Sequence, residues 1–259
     1  MESRTASLKG SRRSIPRHRE TVLDILSQAR YVPSFPVLRR IYVGDVAKAR
    51  LSSRTRIGWT ALVGRAYALV CQQLPELRDL YVAYPTPYLY RHPFSVCSIS
   101  VQRKDDSGQE RLIWGRWSNP EKESLASLQE KLDSISTAPL SEVYREGLTL
   151  EKFPRWIRRA SWSISLRWMG RKRAKHIGTF SISSLGGQGA LNLHHPLITA
   201  SSLAFGPIDL EGDMDVVLIC DHRTIDGVLA ATALEKLEGT LQREIIDELE
   251  GACTSVRAA

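Results

Sequence analysis

Two short stretches of the 259-residue chain set reactive side chains at ordered positions. The first is Cys220-Asp221-His222-Arg223-Thr224-Ile225-Asp226-Gly227. An apolar run, Val216 to Cys220, delivers an imidazole flanked by charged residues, and four positions later an Asp and a Gly open a helix. A His fixed at a strand end suits a general base. Its ordinary pKa of about 6.5 leaves neutral imidazole available at pH 7. Asp226 is equally a good N-cap, with His222 as a plain loop residue. The second stretch is Gly178-Thr179-Phe180-Ser181-Ile182-Ser183-Ser184-Leu185-Gly186-Gly187. Its alternation reads as a strand that ends on hydroxyls and glycines. A hydroxyl fixed there can donate to a developing oxyanion; a plain strand with a Gly turn fits the same residues. Gly186-Gly187-Gln188-Gly189 lacks the Lys-Ser/Thr ending of a phosphate loop and does not fit G-x-G-x-x-G.

The elements that must carry these groups follow from periodicity. Val22, Leu26 and Ala29 predict a helix over 17–31. Residues 34–43 are rich in β-branched and aromatic side chains and predict a strand. Residues 57–74 predict a buried helix that stops before Pro75. Residues 94–103 and 110–117 predict a hairpin around Lys-Asp-Asp-Ser-Gly-Gln. Leu125, Leu128, Leu132 and Ile135 predict an amphipathic helix over 121–136. Three strands are expected at 178–184, 197–205 and 214–221, then a long helix from about 227 to 250. No repeat and no Gly/Ser linker divides the chain. One α/β domain over 11–250 is expected, between a flexible basic N-terminus (1–10) and a flexible tail (251–259).

Composition narrows the class. Hydrophobic residues make up 42% and charged residues 25%, which excludes a globally disordered chain. No apolar run reaches the roughly 20 residues of a membrane-spanning helix. The N-terminus has no apolar signal region. Four cysteines without C-x-x-C spacing argue against a metal site or a disulfide framework, and an intracellular, cytoplasmic, reduced protein is expected. The formal charge of +8 is concentrated in residues 154–176, which hold eight cations and no anion. That points to a local anionic partner.

Taken together, the two reactive stretches resemble the catalytic domain of the dihydrolipoyl acyltransferase subunit of 2-oxo acid dehydrogenase complexes. Chloramphenicol acetyltransferase shares the H-x-x-x-D-G part. The D-H-R-x-x-D-G signature matches Asp221, His222, Arg223, Asp226 and Gly227. The G-T-F-x-I-S-x-L-G strand matches Gly178, Thr179, Phe180, Ile182, Ser183, Leu185 and Gly186. R-x-x-I ahead of the first helix matches Arg12 and Ile15, and P-E-L matches Pro75, Glu76 and Leu77. The resemblance implies a CoA-dependent acyltransferase fold, a mixed sheet with flanking helices, assembled as a homotrimer with active sites between subunits. It implies that His222 of one subunit faces Ser183 of its neighbour, with His222 as base and Ser183 as oxyanion donor. It further implies that Asp226 pairs with Arg12 to brace the His222 loop, with Gly227 and Arg223 in support. Coenzyme A thioester is the implied co-substrate, with no metal.

Departures from the pattern bear on the substrate. Residues 81–92 replace the family's G-V-A-V-D-T-P-x-G-L stretch, and Thr199-Ala200-Ser201 replaces N-P-P. Nothing ahead of Arg12 resembles a lipoyl domain, so a stand-alone form with no covalent lipoyl group is expected. An acyl carrier is an alternative donor, and a non-catalytic trimeric scaffold is an alternative role. Residues 154–176 admit three readings: docking on an anionic membrane, a site for CoA phosphates at Arg171, Lys172 and Arg173, or a packed helix with solvated arginines followed by a basic loop. Nucleic acid is not expected, because the aromatics are spaced for packing. His194 and His195 read as a surface loop, and His92 as part of an aromatic cluster.

Overall fold

The computed structural model describes residues 10–105 and 108–254. In chain order the elements are α1 (Arg17–Ala29), β1 (Ser34–Tyr42), α2 (Gly44–Ser52), α3 (Trp59–Gln73), β2 (Asp79–Val82), β3 (Tyr88–Arg91), β4 (Val96–Lys104), β5 (Glu110–Ser118), α4 (Leu125–Thr137), α5 (Leu140–Val143), α6 (Arg145–Glu151), α7 (Arg155–Arg167), α8 (Gly170–His176), β6 (Phe180–Ile182), β7 (Ser201–Ile208), β8 (Asp213–Asp221), α9 (Gly227–Thr240) and α10 (Ile246–Thr254). A π-helical turn, Leu241–Ile245, joins the last two into one continuous rod. The rod extends to Thr254, into the segment expected to be a tail. Residues 1–9 and 255–259 of the expected flexible ends lie outside the described residues.

Six strands form one mixed sheet in the order β1-β8-β7-β6-β4-β5. β6 runs parallel to both β4 and β7, and the remaining pairs are antiparallel. β2 and β3 form a separate two-stranded ribbon. β8 lies between β1 and β7 and carries the unbroken buried run Val216 to Asp221. A strand covered on both faces reads as such a run rather than as an alternation. The main core lies between one face of the sheet and α3, α4 and α9, with Tyr67, Trp117, Phe180, Leu218 and Leu234 among its buried members. α3 is buried nearly all round, as its sequence predicts.

The basic segment differs from the expected packed helix and basic loop in its local structure. Residues 170–176 form α8 rather than a loop. The face of α7 that enters the protein carries Arg158, not the aromatic stripe. Arg158 is 4% exposed; its Nε donates to Asp24 Oδ2 at 2.7 Å and its Nη2 to Glu20 Oε2 at 2.7 Å, both on α1. Asp24 also accepts from Arg159 Nε at 3.2 Å. An acidic face on α1 thus orients α7 and leaves Trp156, Ile164 and Trp168 exposed.

Candidate active site

The turn after β8 fixes His222 through its neighbours. Asp221 is fully buried, and its two oxygens accept from Arg223 Nε at 2.8 Å and Arg223 Nη2 at 2.6 Å. Its Oδ1 also accepts from the Arg223 backbone N–H at 3.1 Å, and its carbonyl accepts from the N–H groups of Thr224 and Ile225. Ile225 is buried and plugs the turn from below. The His222 backbone N–H donates to Pro33 O at 2.9 Å, and its ring lies 4.5 Å from the Phe35 ring. The backbone is therefore held on three sides while the imidazole itself is exposed. Such a turn presents a base without spending it on an internal partner.

Two supporting residues are engaged differently within one subunit. Asp226 accepts from Leu229 N at 2.8 Å and caps α9, while Arg12 is exposed and makes no ion pair with Asp226 among the described residues. The carboxylate is short and is used on the helix end, where a free N–H and the helix dipole both favour it. Gly227 opens α9 with nothing within 4 Å of where a Cβ would stand, so packing within the subunit does not demand glycine there. Arg223 ties the turn to Asp221 and, through Nη1, to Tyr31 O.

Ser183 leaves the end of β6. Its N–H donates to Leu203 O at 2.9 Å and continues the parallel ladder by one step. Along β6, Phe180 and Ile182 point into the core, and Ser181 and Ser183 take the other face. That face forms the floor of a groove of about 980 Å³, walled by α1, α6 and α7 and lined by Ser181, Ser183, Asn192, His195 and Thr199 among others. The Ser183 hydroxyl makes no hydrogen bond among the described residues. Entry to β6 turns on Gly178, whose φ of +116° excludes other side chains and whose added Cβ would stand 2.9 Å from Val96 O.

His222 and Ser183 do not meet within one subunit. Ser183 is level with Ala204 and Val217, whereas His222 lies five residues further along β8 and two strands across. At ordinary strand dimensions that is about 19 Å. His222 thus stands at one end of the sheet and Ser183 near its middle.

The residues expected to receive an anion divide. Arg171 and Lys172 are exposed, and Lys172 reaches the groove. Arg173 is 2% exposed, so it is not a surface cation. Its guanidinium donates to Ile198 O at 3.1 and 2.8 Å and to Tyr81 O at 2.8 Å. Burial lowers its pKa to about 10. The reason is local: α8 turns Arg173 inward, where the carbonyls of Tyr81, Leu166 and Ile198 face it.

Sequence reasoning missed His195. It is no surface loop residue: Nε2 lies 2.7 Å from Ser202 Oγ, and Nδ1 is buried without a partner. Ser181 Oγ bonds Ser202 Oγ at 2.7 Å and Thr199 Oγ1 at 3.3 Å, extending a hydroxyl cluster beneath the groove. Burial, reinforced by His194, lowers the His195 pKa to about 4. The available signal was the run of hydroxyls at 199, 201 and 202 on the strand beside β6. His92 does sit in an aromatic cluster, with Tyr90 Oη 3.1 Å from its Nδ1 and the Phe94 ring at 4.7 Å.

No family model matches the sequence, and no curated protein matches it. Solved structures do match. A probable dihydrolipoamide acetyltransferase from Listeria monocytogenes superposes with a TM-score of 0.66 at 14% identity, over 92% of this chain and 96% of that one. The dihydrolipoamide acetyltransferase of Azotobacter vinelandii gives 0.65 at 17% identity, over 95% and 98%. Chloramphenicol acetyltransferase gives 0.50 at 12% identity, over 88% and 96%. The chain has the fold of the dihydrolipoamide acetyltransferase catalytic cores and of chloramphenicol acetyltransferase.

Proposed function

We propose that this protein is an acyltransferase that moves an acyl group from a coenzyme A or carrier thioester to a thiol, hydroxyl or amine. It works as a homotrimer, with His222 of one subunit and Ser183 of the next at each site. His222 takes the proton from the acceptor as the acceptor's S, O or N attacks the thioester carbonyl. The tetrahedral oxyanion accepts a hydrogen bond from Ser183. Collapse breaks the C–S bond, and the departing thiolate takes the proton back from the imidazolium. Such a base contributes about 10²–10⁴ in rate, and one oxyanion donor about 10²–10³. The observation that carries this reading is the pair of uncommitted groups on one sheet in this fold, a held and exposed imidazole at its end and, nearer its middle, a hydroxyl with no hydrogen-bond partner among the described residues. The Azotobacter vinelandii relative was examined for the role of a Ser, a His and an Asn in its catalytic mechanism, and two of those residue types stand ready here. Arg171 and Lys172, beside the groove, suit the phosphates of CoA. Release of free CoA from a panel of acyl-CoAs tests the proposal. His222→Ala and Ser183→Ala should each lose activity by these factors. Full activity in His222→Ala overturns the mechanism, and a wild-type protein silent with every thioester is a trimeric scaffold instead.

A second reading concerns location and rests on α7. Trp156 is 73% exposed and Trp168 51%, with Phe153 and Ile164 also exposed. Arg155, Arg171, Lys172 and Lys175 lie nearby, exposed and without ion pairs among the described residues. Indole with free cations suits an anionic membrane surface on the cytoplasmic side. Flotation with anionic and neutral vesicles tests it: recovery with anionic vesicles alone supports the reading, and equal recovery removes it.

A further inference from the structure

A cavity of about 340 Å³ lies at the root of the His222 turn, apart from the groove that holds Ser183. Arg167, Arg173 and Arg223 line it with Tyr31, Tyr81 and Tyr84, and no acidic residue does. Among the described residues the only carboxylate paired with any of the three guanidinium groups is Asp221, which forks Arg223. Arg173 gives its hydrogen bonds to backbone carbonyls alone. Arg167 is held between two rings, 4.9 Å from the Tyr31 centroid and 5.1 Å from that of Tyr84, with one N–H on Tyr84 Oη at 3.2 Å. Arg223 lies 4.4 Å over the Tyr81 ring. Three cations against one anion leave two positive charges facing a small cavity that opens to the surface beside Tyr31 and Tyr84.

Stacking on aromatic faces fixes a guanidinium plane without neutralising it. A cavity built this way keeps its charge for a ligand, because an internal carboxylate would have cancelled it. Gln28 Oε1, buried and without a partner, lies on the same wall. Its amide can turn to present its NH2 instead. The volume suits a small molecule or one end of a larger one. Position links the cavity to the chemistry. Arg223 follows His222 directly, and Arg223 Nη1 donates to Tyr31 O, two residues before the Pro33 carbonyl that holds the His222 backbone.

We propose that this cavity binds an oxyanion, a carboxylate or a phosphate, and that the anion is part of the acceptor whose nucleophilic atom His222 deprotonates. Assigning the anion to the acceptor rests on the acyl-transfer reading; the anion site does not. Acceptors of this class are small acids or phosphate esters bearing a thiol, hydroxyl or amine a few bonds away.

Trp168 stacks on Tyr84 at 5.1 Å, so its fluorescence reports on the cavity. The full chain is titrated with inorganic phosphate, with succinate and with neutral succinamide at constant ionic strength. A saturable change with phosphate or succinate, and none with succinamide, is expected, and whichever anion binds tighter names the acceptor group. Arg167→Gln should weaken binding about ten-fold or more. Lys122→Gln, an exposed cation outside the cavity, should leave it unchanged. No saturable response to either anion, an equal response to succinamide, or full binding in an Arg167→Gln protein overturns the assignment. A rise in the wild-type melting temperature with the same anion checks the site without any variant, and no rise with either anion counts against it. CoA release is measured separately, so a protein that binds the anion but transfers no acyl group sinks the acyl-transfer reading and leaves the anion site standing.

Discussion

Mixing two dead variants is the sharpest test of the split site. His222→Ala and Ser183→Ala each remove one half-site, and the two positions are about 19 Å apart in a subunit. If each site takes its imidazole from one subunit and its hydroxyl from the next, a mixed trimer regains activity. Consider a ring of three that contains both variants. Whether it holds two copies of one or of the other, going round the ring gives a single junction where an intact His222 meets an intact Ser183. Trimers carrying two different affinity tags, purified over both, should therefore show roughly one-third of wild-type activity whatever their composition. Each parent should fall to about 1% or below. The assay is CoA release after co-expression and sequential capture on the two tags. Doubly tagged protein with no more activity than the average of its parents refutes the shared site. Recovery far from a third refutes a ring of three.

Other expectations concern the supports of the site. Replacing Asp24 by Ala leaves the buried Arg158 with Glu20 alone, and unfolding in urea should show a loss of about 3 kcal/mol; a loss below about 1 kcal/mol would mean the α1–α7 contact is held by apolar packing instead. Gly178→Ala forces a side chain into a positive-φ position against a backbone oxygen, so a loss of about 2 kcal/mol with weakened CoA release is expected, and wild-type stability would contradict the close approach. His195 gives a pH signature. Its folded pKa of about 4 lies below the unfolded value of about 6.5, so the unfolded chain binds the extra proton. Its contribution is complete above pH 6.5 and declines as the pH falls toward 4, by about 3 kcal/mol. Relative to His195→Gln, the wild-type advantage should shrink over that window; a constant difference would mean the imidazole is solvated.

Much of the scaffold was legible because its signals are local. α1, β1, α3, the β4–β5 hairpin, α4 and the three last strands lie within a few residues of their expected places. β6 is shorter than expected because only Phe180 to Ile182 find partners on both sides. The two reactive positions were legible because chain order alone sets a His after an apolar strand and hydroxyls at a strand end. What escaped depends on contacts between distant segments. Spacing marked Trp156, Ile164 and Trp168 as one stripe, yet could not say that Asp24, more than a hundred residues earlier, would draw Arg158 inward and turn that stripe out. Arg173 looked like its exposed neighbours Arg171 and Lys172 because nothing local shows that three carbonyls converge on it. The Asp226–Arg12 pair was carried over from a pattern, and an N-cap competes for the same carboxylate.

The β2–β3 ribbon shares no ladder with the main sheet, and Arg173 ties it there by bonding a β2 carbonyl and the carbonyl just before Thr199. A rivet of this kind is sheltered from dissolved ions, so salt will not loosen the ribbon. A shorter or unforked side chain will: lysine keeps the charge but loses the fork that spans both carbonyls. The ribbon's amide protons would then exchange with solvent as an independent unit while the six-stranded sheet stays closed, and the tyrosine wall it lends to the arginine cavity would go with it.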